Sequence, residues 1–454
     1  MGIESRNPAT GELLRSFAPL GPAAVEAKLA AARTGFLGWR STPPAARAEL
    51  LRSAADILDA ERRRWAATMT LEMGKPIGAA EAEVEKCGWT CRFYAENAAR
   101  FLEPQAVAAG EREARVRFDP LGVVLAVMPW NFPFWQVFRF AAPAIAAGNA
   151  ALLKHASNVP QCALAIEEVF RRAGAPAGVF STLLVGARGV AGLIADPRVA
   201  AVTLTGSEGA GGAVAQAAGR HLKKTVLELG GSDPFLFLPS ANLERAAATA
   251  VRARTVNSGQ SCIAAKRFVV HEAVYDQFLV RFVAGMAGLV VGDPMGPATD
   301  VGPLATAAIR SELAAQVESS LAVGARALLG GAPLAGRGWF YPPTVLVDVP
   351  PDSPARRDEL FGPVATVIRV VDLDEAIAVA NETRFGLGAS AWTRDAGERA
   401  RLERELEVGA VLFDAMVASD PRLPFGGVKA SGWGRELGEW GIREFVNVKS
   451  VVSG

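Results

Sequence analysis

Residues 121–154 read LGVVLAVMPWNFPFWQVFRFAAPAIAAGNAALLK. A short apolar run stands at each end, and a helix is predicted between the runs from about Phe134. The same alternation continues through residues 180–185 (FSTLLV) and 199–206 (VAAVTLTG), each followed by a predicted helix. Strands that alternate with helices predict an open, parallel, Rossmann-like sheet. Because ligands bind at the carboxyl ends of such strands, we expect function in MPWNFP, KHASN and TGSEGAG.

On either side of this segment the sequence changes character. The first hundred residues show mainly helical periodicity. A second alternating set begins at Phe235, with apolar runs FLFL, KRFVV, TVLVDV, ATVIRVV and ASAWT, and predicts a second α/β domain with a cleft between the two. Near the end, IREFVNVKSVV predicts an exposed edge strand, which invites pairing with another subunit.

The composition of the chain indicates which kinds of molecule the protein can be expected to bind. The 454 residues carry a net charge of +1 without long charged blocks, so nucleic acid and anionic membranes are not expected partners. No apolar run is long enough for a membrane span, and the first residues lack the pattern of a secretory signal, so we expect a cytoplasmic protein that binds a small molecule. Four scattered cysteines predict no disulfides, and three isolated histidines predict no metal site.

Three polar residues are candidates for chemistry. Cys262, in NSGQSCIAAKR, lies in a small and polar setting that suits a reactive thiolate, although a lone cysteine is more often an inert core residue. Glu228 ends the predicted strand of KKTVLELGG, where partial burial would raise its pKa toward that of a general base. Asn131, between two prolines, could donate a fixed amide to an oxyanion, or the turn could be purely structural.

Two strand ends could hold a phosphate-bearing ligand. In TGSEGAG the free N–H groups of a helix start, with the hydroxyl of Ser207, could bind a phosphate. Lys154 ends the strand ALLK, where its ammonium could reach ribose hydroxyls or a phosphate, or simply be solvated.

Arg139 is the one charged residue between Asp119 and Lys154, within an otherwise apolar predicted helix. An unpaired buried guanidinium is costly, so Arg139 must find an anion or reach solvent. It shares a helix face with Trp135 and Gln136. Its anion is either a carboxylate of the protein or a carboxylate of the substrate, and spacing alone does not decide.

Taken together, the motifs resemble those of the aldehyde dehydrogenase superfamily over nearly the whole chain. The shared motifs, in order, are PWNFP, LTGS, LELGGSDP, NSGQSC, DELFGPV and PFGGVKASGWGRELG. The resemblance implies that Cys262 is the nucleophile, Glu228 the base that activates water and Asn131 the oxyanion donor. It implies cofactor-binding roles for Pro129, Trp130, Lys154, Ser157, Gly206, Ser207, Gly211, Leu229, Glu359 and Phe361.

The implied reaction is NAD(P)-dependent oxidation of an aldehyde to a carboxylic acid through a cysteine thioester. The chain looks most like short bacterial succinate semialdehyde dehydrogenases, in which an arginine at position 139 would bind the distal carboxylate. Other residues that could contribute to this substrate site are Trp135, Gln136, Ser419, Arg422 and Arg267. The alternatives are a broad-specificity enzyme for neutral aldehydes, with Arg139 paired internally, and a non-catalytic relative.

The resemblance also implies the domain plan, the cofactor and the assembly. Residues 1–101 and 121–227 would form the dinucleotide-binding domain, 228–420 the catalytic domain, and 102–120 with 438–454 a small β oligomerisation element. A homodimer or homotetramer is expected. Ser157 stands where strict NAD enzymes often have a glutamate that repels a 2′-phosphate, so we expect the enzyme to use NADP or NAD, with NADP accepted.

Overall fold

The computed structural model describes residues 2–453. Its N-terminal part is a short hairpin followed by four helices, and then a second hairpin. Prolines at the first positions of two of these helices supply the backbone angle that a helix start requires. The elements are β1 (Ile3–Arg6), β2 (Leu13–Phe17), α1 (Pro22–Trp39), α2 (Pro44–Ala60), α3 (Arg62–Met73), α4 (Ile77–Phe101), β3 (Gln105–Ala109) and β4 (Arg112–Pro120).

A parallel sheet with crossover helices follows, as the alternation predicts. Its strand order is β9-β8-β5-β6-β7. The elements are β5 (Val123–Met128), α5 (Trp135–Ala147), β6 (Ala150–His155), α6 (Pro160–Arg172), β7 (Phe180–Thr182), α7 (Val190–Ala195), β8 (Val199–Thr205), α8 (Glu208–Arg220) and β9 (Lys224–Glu228).

The central strand of this first sheet is buried on both faces. Val124 and Ala126 of β5 pack into a core shared with helices α2 to α6, whereas Val123 and Leu125 pack into a core on the opposite face with α1, α7 and α8. Only the ends of the strands are therefore free to meet a ligand.

A second sheet of seven strands has the order β12-β13-β14-β11-β10-β16-β17, in which only β12 is antiparallel to its neighbour. The elements of this part of the chain are β10 (Pro234–Phe237), α9 (Leu243–Thr255), β11 (Arg267–His271), α10 (Glu272–Ala287), α11 (Ala307–Ala322), β12 (Arg326–Leu329), β13 (Thr344–Val347), α12 (Pro354–Arg357), β14 (Val364–Val370), α13 (Leu373–Asn381), β15 (Phe385–Gly386), β16 (Gly388–Trp392), α14 (Ala396–Glu405) and β17 (Ala410–Phe413). Of these strands, β15 lies outside the seven-stranded sheet.

The C-terminal segment returns to the first half of the chain. It comprises β18 (Val428–Lys429), β19 (Gly432–Trp433), α15 (Gly438–Arg443) and β20 (Val446–Ser453). Strand β19 adds to β9 of the first sheet in the antiparallel direction, and β20 pairs with β4 to form a separate sheet of order β20-β4-β3. The predicted edge strand is thus present, and the expected α/β architecture is confirmed.

The division into three domains at the stated boundaries stays a prediction. Among the helices of residues 2–453, none is both long enough and apolar enough to cross a membrane.

Candidate active site

The segment that carries Cys262 begins with an unusual backbone. After α9 a tight turn at 256–259 places Asn257, Ser258 and Gly259 in the left-handed region, with φ of 54°, 56° and 75°. A Cβ on Gly259 would lie 2.3 Å from the carbonyl carbon of Gly362, so only glycine fits there. The turn brings the segment against the 358–362 loop and directs Cys262 toward the cleft.

Two buried cations fix this segment. The guanidinium of Arg254 donates to the carbonyl oxygens of Gly259 and Gly362, both at 2.8 Å. The ammonium of Lys266 donates to the carbonyl oxygen of Cys262 at 2.7 Å and lies 3.3 Å from Oε1 of Glu359. The nucleophile candidate is therefore held from both sides through its backbone.

Cys262 lies in the walls of two cavities. The larger, of about 490 Å³, opens at the carboxyl ends of the first sheet's strands, and the smaller, of about 250 Å³, lies beneath α4 and α5. A side chain that faces both cavities can contact a cofactor on one side and a substrate on the other.

The larger cavity contains most of the residues predicted to bind a cofactor. Its walls include Pro129, Trp130, Gly206, Ser207, Leu229, Glu359 and Phe361, with Asn131 and Cys262. The ring of Trp130 meets that of Phe361 edge to face, with centroids 5.6 Å apart. A carboxylate, two aromatic rings and the N-terminus of α8 are suitable groups for a nicotinamide dinucleotide.

Three other predicted cofactor residues do not line this cavity. Lys154 is buried at the end of β6 with no carboxylate partner among residues 2–453, and burial lowers its pKa. Ser157 is exposed just beyond that strand. Gly211 packs under Leu229, whose Cδ2 would lie 2.6 Å from a Cβ there, so it brings α8 close to the sheet and does not face the cavity.

The thiol of Cys262 is half-buried in the wall of the larger cavity. Burial raises its pKa to about 12, against the opposing effects of Lys266 and Arg139. Asn131 lines the same cavity, and its Nδ2 donates to the carbonyl of Gln260 at 3.2 Å, while its buried Oδ1 has no partner among residues 2–453. Both groups face the region where a carbonyl substrate would react.

Glu228 lies behind the cavity walls and lines neither cavity. Both carboxyl oxygens are buried without a hydrogen-bond partner in the described part of the chain. Burial raises its pKa well above the usual range, Arg139 opposes this effect, and Glu436 adds to it. The carboxyl group faces Gly426, where a Cβ would lie 2.8 Å from its Oε1. It must turn toward the cavity to act on water there.

Arg139 is buried and forms an ion pair with Glu436, a residue that the sequence analysis did not single out. Its Nη2 also donates to Oγ1 of Thr205 at 3.2 Å, and its guanidinium lies 4.8 Å from the ring centroid of Phe425. The side chain nevertheless lines the smaller cavity. Two anions were expected for Arg139, a carboxylate of the protein or a carboxylate of the substrate. The structure shows the first of these.

The smaller cavity also includes Trp135, Gln136 and Ser419 from the predicted substrate set. Arg422 is a correction, because its side chain is 67 % exposed, is paired with Asp420 at 2.6 Å and lies outside this cavity. Arg267 is a second correction. It is buried in β11 with its Nε donating to the carbonyl of Ser232 at 2.9 Å, which makes it a structural group.

Sequence reasoning missed Lys86, which also lines the smaller cavity. It lies on α4 beside the apolar stripe of Val84, Cys87 and Cys91, and the sequence offered no sign that this side of the helix faces a cavity. No group of three or more metal-ligating side chains is found within residues 2–453.

An open α/β sheet with a cavity at its strand ends is typical of a dinucleotide-dependent enzyme, and here a cysteine faces that cavity. The chain belongs to the aldehyde dehydrogenase family, whose model matches residues 1–451.

Similar proteins agree with this assignment. The chain is 54% identical over 455 residues to a protein of Mycobacterium ulcerans named succinate-semialdehyde dehydrogenase (NADP(+)), with 99% of each chain covered. A Mycobacterium tuberculosis protein of the same name is 54% identical over 454 residues, again with 99% of each covered. Among solved structures, succinic semialdehyde dehydrogenase of Streptococcus pyogenes in complex with NADP+ is 36% identical, covers 99% of each chain and has a TM-score of 0.97.

Proposed function

We propose that this protein oxidises succinate semialdehyde to succinate with NADP as the preferred cofactor. The observation that carries the proposal is the position of Cys262 in the walls of both cavities. The names of the relatives that are 54% identical support the choice of substrate and cofactor.

In the proposed mechanism the thiol of Cys262 gives its proton to solvent water, and the thiolate attacks the aldehyde carbon. The side-chain amide of Asn131 and the backbone N–H of Cys262 stabilise the negative oxygen that forms. The walls of the larger cavity, among them Trp130, Glu359 and Phe361, would hold a dinucleotide whose nicotinamide would accept the hydride from the aldehyde carbon. The acyl group is then held as a thioester on Cys262. Glu228, once ionised and turned toward the cavity, activates the water that hydrolyses it.

The preference for NADP is supported by charge. Lys154 is a buried ammonium without a carboxylate partner among residues 2–453, which suits a phosphate or ribose hydroxyls. Ser157, three residues later, places no negative charge beside the expected 2′-phosphate. An NAD rate far above the NADP rate at equal concentration would contradict this choice.

A second candidate function is broad oxidation of neutral aldehydes. The pairing of Arg139 with Glu436 favours it, because a guanidinium that is already neutralised has less attraction for a substrate carboxylate.

Initial rates with succinate semialdehyde and butanal, each with NADP and NAD, separate these functions. We expect kcat/KM for the semialdehyde to exceed that for butanal by tenfold or more, about the effect of one charge-assisted hydrogen bond. Equal values, or faster butanal oxidation, would select the broad-specificity enzyme. The variant Cys262→Ala should lose the activity with both aldehydes.

We further propose a cytoplasmic homodimer or homotetramer. All four cysteines are free thiols, and a cysteine nucleophile needs the reducing conditions of that compartment.

A further inference from the structure

The smaller cavity contains three cations, and two of them are already neutralised. Lys75 is buried in an ion pair with Glu83, whose other oxygen accepts the backbone N–H groups of Phe134 and Trp135 at 2.9 Å each. Arg139 is paired in the same way with Glu436. Neither pair leaves a net charge for a substrate.

Lys86 is the third cation, and it has no carboxylate partner within residues 2–453. Its ammonium donates to Oγ of Ser419 at 2.8 Å and lies 4.3 Å from the ring centroid of Trp135. Asp420, the next residue to Ser419, is already paired with Arg422. An ammonium retains two further N–H donors after bonding to one hydroxyl.

The groups around Lys86 are also incompletely bonded. The hydroxyl of Ser419 accepts from Lys86, and its own hydrogen has no acceptor in the described part of the chain. Gln136 is only 1% exposed, lines the cavity, and its buried Oε1 has no partner among residues 2–453. A carboxylate has no hydrogen to give this oxygen, so Gln136 would assist a bound carboxylate only through the N–H groups of its Nε2.

We propose that Lys86 binds the distal carboxylate of the substrate and supplies the charge that selects it, with Ser419 and Gln136 as hydrogen-bonding neighbours. Arg139, which lines the same cavity, then stays paired with Glu436. This inference rests on the proposed function, since it names the group that recognises the carboxylate of the semialdehyde.

The test compares Lys86→Met and Lys86→Gln with the unaltered enzyme, using succinate semialdehyde and butanal at saturating NADP. Both variants keep an unbranched side chain, one atom shorter than lysine, and remove its charge. We expect kcat/KM for the semialdehyde to fall about tenfold or more, chiefly through KM, while kcat/KM for butanal changes less than about twofold. Lys86→Arg should recover most of the loss. The control is Lys28→Met, which removes the charge of a half-buried lysine on α1 that lines neither cavity and should change neither value.

Succinate provides a second readout. As an inhibitor of butanal oxidation it should bind about tenfold more weakly to both neutral variants than to the unaltered enzyme.

The outcomes separate the two proposals. If the unaltered enzyme prefers the semialdehyde and the neutral variants keep that preference, Lys86 is not the carboxylate group, although the proposed function stands. If both neutral variants lose activity equally with both aldehydes, Lys86 has a structural role and the inference is wrong. If the unaltered enzyme shows no preference, the proposed function fails and the inference fails with it.

Discussion

At the scale of single residues, the proposed chemistry depends on two acids, Cys262 and Glu228, whose pKa values are raised. Burial raises the pKa of Cys262 to about 12 and that of Glu228 well above its usual range. A group with a raised pKa becomes reactive only as pH rises toward that value. We therefore expect both kcat and kcat/KM for butanal to increase from pH 6 to pH 9. A flat profile over this range would contradict the burial of these groups in the working enzyme.

The role of Glu228 can be separated from that of Cys262. In Glu228→Gln the first turnover should still produce reduced cofactor, because attack and hydride transfer precede the step that needs the base. Rapid-mixing absorbance should show a burst close to one equivalent per active site and a steady rate that is about a hundredfold or more below normal. Cys262→Ala should show no burst. A burst of normal size followed by a normal steady rate would exclude Glu228 as the base.

Lys86 gives aldehyde selectivity a pH dependence of its own. Burial and the nearby Arg139 lower its pKa to about 8, against the opposing effects of Cys87, Asp420 and Glu83. An ammonium with a lowered pKa is charged below that value and neutral above it. The ratio of kcat/KM for succinate semialdehyde to kcat/KM for butanal should thus fall as pH rises through about 8. A constant ratio between pH 6.5 and pH 9.5 would count against a lysine in the subsite.

Residues that carry a family motif could be predicted, whereas the partners of those residues could not. NSGQSC and LELGG identify Cys262 and Glu228 within their own segments. The carboxylate that neutralises Arg139 comes from Glu436, near the other end of the chain, and only the folded chain brings the two together. Lys86 was missed for the same reason.

At the scale of elements, the turn that precedes Cys262, the proposed nucleophile, depends on one glycine. Gly259 has φ of 75°, and a Cβ there would also lie 2.3 Å from the carbonyl oxygen of Gly362. In Gly259→Ala the backbone strain alone should cost about 1–3 kcal/mol, and displacement of the turn should lower kcat at least tenfold. Thermal unfolding and steady-state kinetics measure the two effects.

The control for this variant is Gly192→Ala on α7, where a Cβ meets nothing within 4 Å. Alanine favours a helix over glycine by about 0.5–1 kcal/mol, so this variant should be neutral or slightly more stable. Equal behaviour of the two variants would show that the turn does not require glycine.

The elements themselves were largely predictable, because their causes are local. Apolar runs bounded by polar turns predicted β5, β6 and β8, and each was found within a few residues. The antiparallel addition of β19 to β9 was not foreseen, since it joins a two-residue strand to a distant sheet. Short strands carry too few residues to show a period, so their pairing is decided by tertiary packing.

At the scale of the whole molecule, the two sheets meet where the chemistry occurs. The larger cavity draws on Ser207 and Leu229 from the first half and on Cys262 and Phe361 from the second. Arg254 and Lys266 hydrogen-bond across the segments of the second half, so the nucleophile keeps a fixed position relative to that half. The relative position of the two halves therefore sets the distance between cofactor and thiol.

The three-stranded sheet β20-β4-β3 is the surface that we expect to join subunits. Its edge strand β20 is eight residues long, and its backbone pairs on one side only. Val448 and Val452 on this strand are 61% and 55% exposed, which is unusual for apolar side chains on a free edge. Pairing with a second chain would cover both the edge and these side chains.

Val448→Lys should therefore shift the protein toward monomer, because a lysine on an edge strand opposes pairing with another strand. Size-exclusion chromatography with light scattering measures the mass of each form. Val280→Lys is the matched control, since Val280 is 70% exposed on helix α10, away from this sheet, and its replacement should leave the mass unchanged. A monomeric unaltered protein, or an oligomer that both variants leave intact, would show that β20 does not form the subunit interface.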